Sequence, residues 1–303
     1  MLGPKIKNTV HGWLVLDKPI GLTSTQALGK TRRLLGGKKA GHGGTLDPLA
    51  TGILPLAFGE ATKLIPYVMD GYKEYEFTVA WGEARDTDDA EGKVTAQSDK
   101  RPTDDEIRGA LPAFTGVINQ TPPVFSAIKL DGERAYDLAR EGQKVELASR
   151  QVTVHAIELL DQPDADHARF RVACGKGMYV RSLARDLAMN LGTYGHVSEL
   201  RRTRVGPFRI DGAISLEKLE DLSHKGAALT ALLALKAALD DIPALILTAS
   251  EAQRLRSGQS ILIRPQHGDL MNARTILALH QDTPVALVRI EDGVFRVLRG
   301  FHF

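Results

Sequence analysis

The sequence predicts an α+β fold, with a large mixed domain at residues 1–240 and a small β-rich module at residues 241–303. Residues 73–81 alternate apolar and polar side chains, as expected of a strand with one buried face. Residues 24–35 carry apolar side chains at helical spacing and stop at Gly36-Gly37. Beyond Pro243 come five short apolar runs, with a hairpin signal at Asp292-Gly293 between the last two.

Further elements follow from the same patterns. Thr103 and Glu106 form a capping box ahead of an apolar helical run, so a helix is expected there. Residues 125–130 are expected to form a strand that turns at Asp131-Gly132 into a helix ending at Gly142. The Ala/Leu-rich residues 226–239 are expected to be helical. Other apolar runs predict strands at 13–16, 152–160, 169–174, 197–204 and 208–210.

Composition excludes several classes of protein. The 303 residues are 43% hydrophobic and 25% charged, as is usual for a soluble globular protein. No apolar run approaches the roughly 18 residues of a membrane span, and the first residues, MLGPKIKNTVHGW, do not resemble a secretory signal. We therefore expect a cytoplasmic protein with no membrane partner. The single cysteine, Cys174, excludes an internal disulfide framework and a multi-cysteine metal site.

Positive charge is concentrated in two segments although the net charge is only +2. Residues 1–40 contain eight lysines and arginines against one aspartate, and residues 176–209 contain seven against two acids. Such segments can contact nucleic-acid phosphates if the fold brings them together. Two solvated faces are an equally good interpretation of charge alone.

Nucleotide and metal motifs are absent from the sequence. Gly29-Lys30-Thr31 resembles the end of a phosphate-binding loop, but Ser24 stands where the first glycine is required. Neither Gly41-His-Gly43 nor Gly175-Lys-Gly177 completes a dinucleotide-binding motif, and the nine histidines show no metal-ligand spacing. We expect no cofactor and no metal site.

The most informative stretch is the glycine-rich segment Gly41–Gly52, which contains Asp47-Pro48. Glycines let the backbone approach a ligand closely, and Pro48 restricts Asp47 to an extended conformation. Considered alone, the segment favours an ordinary turn in which Asp47 caps Ala50 or a neighbouring amide.

The residues of this segment, GHGGTLDPLATGILPLAFGEATK, resemble the motif of the TruB family of pseudouridine synthases. Other stretches are similar to the same family in the same order, so the resemblance runs from about residue 11 to 210. They are HGWLVLDKP at 11–19, KEYEFTVAWGEARDTDDAEG at 73–92, GKGMYVRSLARDL at 175–187 and HVSELRRTRVGPF at 196–208. The resemblance implies a mixed, largely antiparallel sheet flanked by helices, with a PUA-like module at residues 241–303.

The resemblance also implies roles for individual residues. Asp47 matches the catalytic aspartate of the family, and Arg181 matches the arginine that pairs with it and keeps it ionised. Tyr75 matches the tyrosine that stacks on the flipped base, while Tyr179 and Leu200 match residues lining the same pocket. Lys18 would be a supporting positive group, and His42 would occupy the space vacated by the extruded uridine. Without the resemblance, Tyr75 would be interpreted as an ordinary core aromatic and Lys18 as a solvated lysine.

By resemblance, the chain converts uridine 55 in the T loop of transfer RNA to pseudouridine, breaking C1′–N1 and joining C1′ to C5. The reaction is an isomerisation and needs no cofactor. The expected partner is the T stem-loop of tRNA, recognised by shape, phosphate contacts and base extrusion. We expect a monomer with no obligatory protein partner.

The sequence leaves three alternative functions open. The chain could be a T-loop RNA chaperone that binds without chemistry, or a relative that works within a guide-RNA particle, although it lacks the long basic tail of many such relatives. The carboxylates of residues 83–91 allow a nucleoside hydrolase with two acids across the glycosidic bond. We expect this acidic loop instead to cap a turn and to orient nearby backbone or arginine groups.

Overall fold

A computed structural model describes residues 10–126, 128–130, 132–141, 143, 145–239 and 242–303. Its strands are β1 (Gly12–Lys18), β2 (Ala40–His42), β3 (Thr51–Phe58), β4 (Lys73–Trp81), β5 (Glu83–Arg85), β6 (Val94–Gln97), β7 (Gly116–Gln120), β8 (Lys129–Leu130), β9 (Glu133–Arg134), β10 (Arg150–Asp164), β11 (His167–Cys174), β12 (Gly195–Val205), β13 (Phe208–Arg209), β14 (Ile214–Ser215), β15 (Ala244–Ile246), β16 (Ile261–Leu262), β17 (Ile276–His280), β18 (Thr283–Glu291) and β19 (Val294–Gly300). Its α-helices are α1 (Ser24–Leu35), α2 (Ile65–Asp70), α3 (Asp104–Ala110), α4 (Ala135–Arg140), α5 (Val180–Asn190), α6 (Leu216–His224) and α7 (Ala249–Arg256).

A ten-stranded sheet forms the body of the molecule, with the strand order β14-β1-β3-β12-β4-β11-β10-β7. Strand β2 pairs with β3, and β13 pairs with β12. The β1–β14 and β12–β3 pairs are parallel, whereas the other pairs in this sheet are antiparallel. The mixed, largely antiparallel sheet predicted from the sequence is therefore confirmed, as are its flanking helices.

Strands β1 and β3 are buried on both faces, which explains why their sequences are continuously apolar. Leu14 and Leu16 of β1 point into a core that they share with helices α1, α5 and α6. Trp13 and Val15 point to the other face, into a second core. This second core also contains Leu277, Leu279, Leu287 and Phe301 from the C-terminal strands.

The C-terminal strands form a separate five-stranded sheet in the order β15-β17-β18-β19-β16. Asp292 (φ 51°) and Gly293 (φ 73°) form the predicted hairpin turn between β18 and β19, because a tight hairpin requires positive φ at both positions. The predicted β-rich module is thus present. Its division from the first domain after residue 240 stays a prediction, since residues 240 and 241 lie outside the described part of the chain.

Capping residues set the ends of α1 and α3. Gly36 and Thr103 confirm the predicted helix ends, whereas the cap at Thr23 was not predicted. Thr23 caps α1 by accepting a hydrogen bond from the Gln26 amide, and Gly36 ends the helix in the left-handed conformation. Thr103 and Glu106 form the expected capping box at the start of α3.

The predicted helix at residues 226–239 is wrong. The segment contains two short 3-10 turns, Ala228–Ala231 and Leu235–Ala238, separated by extended backbone. Leu233 in this extended part exchanges two backbone hydrogen bonds with Trp13, of 2.9 and 2.7 Å. The segment also supplies Ala228 to the first core and Leu235 to the second, which one straight helix would not do.

The region after Pro123 also differs from the prediction. Among the described residues of the range 125–130, Lys129–Leu130 forms a strand, which pairs with Glu133–Arg134. The following helix ends at Arg140. The predicted turn residue Asp131 and the predicted helix end Gly142 lie outside the described residues.

No helix among the described residues is long and apolar enough to cross a membrane.

Gly52 offers a test of how tightly β3 packs against β12. It has φ +94°, and a Cβ there would lie 2.2 Å from the Arg202 carbonyl oxygen. Gly52→Ala should therefore lower the free energy of unfolding by at least about 2 kcal/mol, since the clash involves backbone and cannot relax cheaply. Urea unfolding monitored by circular dichroism measures the change.

Gly36→Ala is the matched control, because Gly36 also has positive φ (+67°) but a Cβ there would meet nothing within 4 Å. We expect it to cost only about 1 kcal/mol, from backbone conformation alone. Equal losses in the two variants would contradict the packing argument.

Candidate active site

The loop between β2 and β3 carries Asp47 and is held in place on both sides of that residue. On one side, the buried Ser24 hydroxyl accepts a hydrogen bond from the Leu46 amide (2.7 Å) and donates one to the Leu46 carbonyl (3.0 Å). On the other side, the Pro48 carbonyl accepts from the Gly21 amide at 2.9 Å. Asp47 therefore sits on a backbone that is restrained by the residues immediately before and after it.

Lys18, at the end of β1, contributes to the same restraint. Its ammonium group is buried and donates to the carbonyls of Pro19 (2.9 Å), Leu22 (2.7 Å) and Pro48 (3.4 Å). Burial lowers the pKa of Lys18 to about 8, and the negative charge of Asp47 partly opposes this shift. Lys18 thus places a positive charge near Asp47 and joins two loops through their backbones, while its supporting role at the site stays a prediction.

Arg202 on β12 holds the earlier part of the loop. Its side chain is buried, and its guanidinium donates to the carbonyls of Ile53 (2.8 Å), Gly44 (3.0 Å) and Thr45 (3.4 Å). No carboxylate of the described residues lies within ion-pair distance of this guanidinium. Its charge therefore acts on the surrounding groups, which include Asp47, Lys18, His42 and Tyr75.

Arg181, at the start of α5, joins the Asp47 loop to the acidic loop. One guanidinium nitrogen lies 3.1 Å from the Asp47 carboxylate, and the other lies 3.5 Å from the carboxylate of Asp89. The same two nitrogens donate to the carbonyls of Thr87 and Phe125, both at 2.9 Å. The Arg181 side chain is 6% exposed, and these four acceptors compensate the cost of burying its charge.

Asp89 is itself fixed within the acidic loop. Its side chain is 4% exposed and accepts hydrogen bonds from the Thr87 hydroxyl (2.5 Å) and the Glu91 amide (3.1 Å). Neighbouring Asp88 pairs with Arg185 of α5 at 2.8 Å. The structure therefore agrees with the prediction that this loop caps a turn and orients arginines.

The Asp47 carboxylate experiences opposing influences on its protonation. Burial by surrounding protein raises the pKa of Asp47 above its ordinary 3.8, and the charge of Asp89 raises it further. Arg181 is the main group that lowers this pKa, with smaller contributions from Lys18 and Arg202. The Asp47 side chain remains 38% exposed, so the carboxylate is open to a ligand on one side.

Asp47 lies in a cleft too tight to hold a water molecule, lined also by Leu49, Ala50, Asp89, Arg181, Val197 and Leu200. A wider groove of about 310 Å³ shares Leu49 and Leu200 with this cleft. The Ile20 side chain in the groove is 64% exposed, and Arg169 and Arg201 also line it. A narrow pocket with one open carboxylate, continuous with a larger groove, suits one group of a longer ligand.

Tyr75 and His42 lie on the Arg202 side of the loop. Tyr75 is buried on β4, and burial raises the pKa of its hydroxyl although the adjacent Arg202 guanidinium opposes the shift. His42 lies on β2, where burial and Arg202 lower its pKa. Its Nδ1 atom is buried and has no hydrogen-bond partner among the described residues.

The predicted site residues are thus largely brought together. Asp47, Arg181 and Leu200 line the cleft, and Lys18, Tyr75 and His42 surround the loop that carries Asp47. Tyr179 does not line the cleft. Its backbone pairs with the Gln120 side chain at 2.8 and 3.1 Å, and its ring lies 5.4 Å from the Arg150 guanidinium.

Sequence reasoning did not single out Asp89 or Arg202 as site residues. Asp89 was one of five acids in an exposed-looking loop, and Arg202 was one of seven cations in a basic segment. No local signal distinguishes Arg202, which stands between Arg201 and Thr203, since strand register decides whether a cation there is buried or faces solvent. The described residues contain no group of three or more His, Cys, Asp or Glu arranged to hold a metal ion.

The role of Arg202 in fixing the loop can be tested without measuring activity. Arg202→Lys keeps the charge, but a single nitrogen cannot replace the three separate nitrogens that donate to Ile53, Thr45 and Gly44, so Gly44 and Thr45 should lose their anchor. We expect the free energy of unfolding to fall by roughly 3 kcal/mol. Amide hydrogen exchange at residues 43–47 should accelerate more than in the rest of the protein.

Arg201→Lys is the matched control, since Arg201 is a neighbour on the same strand, partly exposed and paired with Asp17 at 2.7 Å. It should leave exchange in the loop unchanged. If both variants accelerate exchange equally, or neither does, Arg202 does not anchor the loop.

Comparison with known proteins gives a consistent result. Residues 32–180 match the model for the TruB family pseudouridylate synthase N-terminal domain, and residues 181–242 match the tRNA pseudouridylate synthase B C-terminal domain. At the level of structure, 97% of the chain superposes on 86% of a chain in the crystal structure of a Cbf5–Nop10–Gar1 complex. The TM-score is 0.74 and the sequence identity 25%.

Curated relatives are considerably closer in sequence. The chain is 59% identical to tRNA pseudouridine synthase B of Bradyrhizobium diazoefficiens over 85% of its own length and 76% of the relative. It is 51% identical to tRNA pseudouridine synthase B of Caulobacter vibrioides, over 97% of both chains. On these matches, the chain belongs to the TruB family of pseudouridine synthases.

Proposed function

We propose that this protein isomerises uridine 55 in the T loop of tRNA to pseudouridine, with Asp47 as its catalytic carboxylate. The observation that carries the proposal is the contact between Asp47 and Arg181 in a cleft that leaves the carboxylate open on one side. Relatives named tRNA pseudouridine synthase B, at 59% and 51% identity, support the substrate class.

The chemistry requires one ionised carboxylate and no oxidant or reductant. The C1′–N1 bond breaks, the base turns, C1′ joins C5, N1 gains a proton and C5 loses one. Asp47 is suited either to attack as a nucleophile or to remove a proton, and both routes need its ionised form. Arg181 favours that form by lowering the Asp47 pKa against the effect of burial.

The surroundings of Asp47 also suit a nucleotide that leaves its stack. Leu200 and Val197 would supply an apolar wall for a base placed beside Asp47. Tyr75 and His42 would contact the substrate at the Arg202 side of the loop. The wider groove that shares Leu49 and Leu200 leaves room for the nucleotides that flank the target.

Recognition of the T stem-loop by the groove and by the C-terminal module belongs to the same proposal. Relatives at this level of identity carry the tRNA synthase name, which favours a stand-alone enzyme over a guide-RNA-dependent one. A monomer without an obligatory protein partner and a cytoplasmic location stay predictions.

Asp47→Asn tests the catalytic role. The amide cannot act as base or nucleophile, so release of tritium from tRNA carrying [5-³H]uridine should fall below detection, at least about 10⁴-fold. Binding of the same tRNA should persist within about threefold. Asp105→Asn is the control, because it also removes one negative charge but at an exposed position on α3. This variant should retain full turnover.

The same assay separates the alternatives. A T-loop chaperone predicts tRNA binding with no tritium release even in the wild-type protein. A nucleoside hydrolase predicts free uracil, which chromatography of the products would detect. Turnover that persists in Asp47→Asn would exclude the assigned mechanism.

Asp89→Asn tests a positioning role for the second carboxylate. Without it Arg181 loses an ionic partner, so kcat should fall about tenfold or more while KM changes little. Because the charge of Asp89 raises the pKa of Asp47, its removal should lower that pKa. Activity is lost as pH falls through the Asp47 pKa, so the acid limb of the kcat profile should move to lower pH.

Asp86→Asn is the matched control, since Asp86 is exposed on the same loop and caps the Lys93 amide at 2.8 Å. It should leave the pH profile unchanged. An Asp89→Asn variant with reduced kcat but an unshifted acid limb would point to a purely structural role.

A further inference from the structure

A strip of five cations runs along the exposed side of α1 and the turn that follows it. Arg32, Arg33, Lys38 and Lys39 are exposed and Lys30 is half-buried. Throughout the described residues, none of these five side chains forms a hydrogen bond or an ion pair, in contrast to Arg181, Arg185 and Arg201. We call this set the α1 basic strip.

Nearby acids do not neutralise the strip. Helix α6 packs beside α1, with the Ser223 hydroxyl donating to the Leu34 carbonyl at 3.3 Å. Its carboxylates, on Glu217, Glu220 and Asp221, lie beyond ion-pair distance of the strip in the described structure. The positive charge of the strip is therefore available to an external anion.

Both ends of the α1 segment that carries the strip connect to the segment that carries Asp47. The first residue of α1, Ser24, is hydrogen-bonded to Leu46, the neighbour of Asp47. The turn carrying Lys38 and Lys39 leads directly into β2, which ends at His42. Between these two points the 12 residues of α1 span about 17 Å.

Gly29 is a second and independent feature of this surface. It lies in the middle of α1, where glycine costs about 1 kcal/mol relative to alanine. A Cβ at Gly29 would meet nothing within 4 Å, so internal packing does not require glycine. The position is three and four residues before Arg32 and Arg33, so a bare patch of helix backbone lies between cations.

We infer that the α1 basic strip binds the phosphodiester backbone of the RNA strand that enters the cleft, with one phosphate seated against Gly29. The inference rests on the proposed function. The strip contains no aromatic side chain to stack on bases, and flexible unpaired cations favour phosphates over base edges. Thr25 and Gln26 complete the exposed face, which therefore lacks the apolar residues that insertion at a membrane surface requires.

Paired lysine substitutions test the inference. Lys38→Gln/Lys39→Gln removes two charges from the strip, and Lys218→Gln/Lys225→Gln removes two from exposed positions on and just after α6. Equilibrium binding of an unmodified tRNA transcript is measured for both double variants and the wild type between 50 and 200 mM KCl.

We expect the slope of log Kd against log salt concentration to fall by roughly 1.5 in the strip variant, since each lost phosphate contact removes about 0.7–0.9. Its Kd should rise about tenfold at low salt, while kcat at saturating tRNA stays within twofold. The α6 variant should match the wild type. Equal slope changes in both variants, or an unchanged slope in the strip variant, would overturn the inference.

Gly29→Leu tests the close approach of a phosphate. Leucine favours helix, so the unfolding temperature should hold or rise, while the side chain should block the patch and weaken tRNA binding about fivefold or more. Unchanged affinity would show that no phosphate sits there. An absence of pseudouridine in wild-type incubations would instead overturn the proposed function, and the binding slopes would still report on the strip.

Binding to vesicles that contain phosphatidylserine is measured for the same proteins. Strip variants that lose vesicle binding but keep wild-type affinity for tRNA would identify a membrane surface in place of an RNA surface.

Discussion

The buried guanidinium of Arg181 is the interaction on which the site depends. It connects three segments far apart in the chain, the loop carrying Asp47, the acidic loop carrying Asp89 and the start of α5. The Arg181 side chain is only 6% exposed. Burial of its charge is tolerated because the guanidinium contacts two carboxylates and two carbonyls. A lysine has a single nitrogen and could not serve four acceptors in this geometry.

The charge on Asp47 is controlled as well as its position. Burial and Asp89 favour the neutral acid, whereas Arg181, Lys18 and Arg202 favour the carboxylate. Burial alone would favour the neutral form of Asp47. The three cations around the two acids oppose that effect and favour the carboxylate. Most hydrogen bonds of Lys18 and Arg202 are donated to loop carbonyls. The residues that influence the charge of Asp47 therefore also hold the backbone of its loop in place.

The sheet explains how such distant residues meet. Parallel pairing of β12 with β3 sets Arg202 directly beside Gly52, at the end of the Asp47 loop. Antiparallel pairing of β12 with β4 sets Arg202 beside Tyr75. The second core, shared with the C-terminal strands, supports β1 and β3 from the opposite face. The loop thus stands on a strand pair that is packed on both sides, which restricts movement of its ends.

The sequence by itself determined the local features of this protein. Alternation in β4, the caps at Thr23 and Thr103 and the Asp292-Gly293 hairpin depend on residues within a few positions of each other, so they are visible in the chain. The glycine-rich motif with Asp47 indicated the family for a similar reason. Each of these patterns can be recognised from residues that are close together in the sequence.

Only the tertiary structure decided the rest, because the deciding contacts join residues more than 50 positions apart. Arg181 and Arg202 are indistinguishable from solvated arginines until strand register and α5 bury them. The Ala/Leu-rich residues 226–239 have high helix propensity, yet pairing of Leu233 with Trp13 and burial in two different cores give them an extended course. Propensity is worth a few tenths of a kcal/mol per residue, so burial of a few large side chains outweighs it.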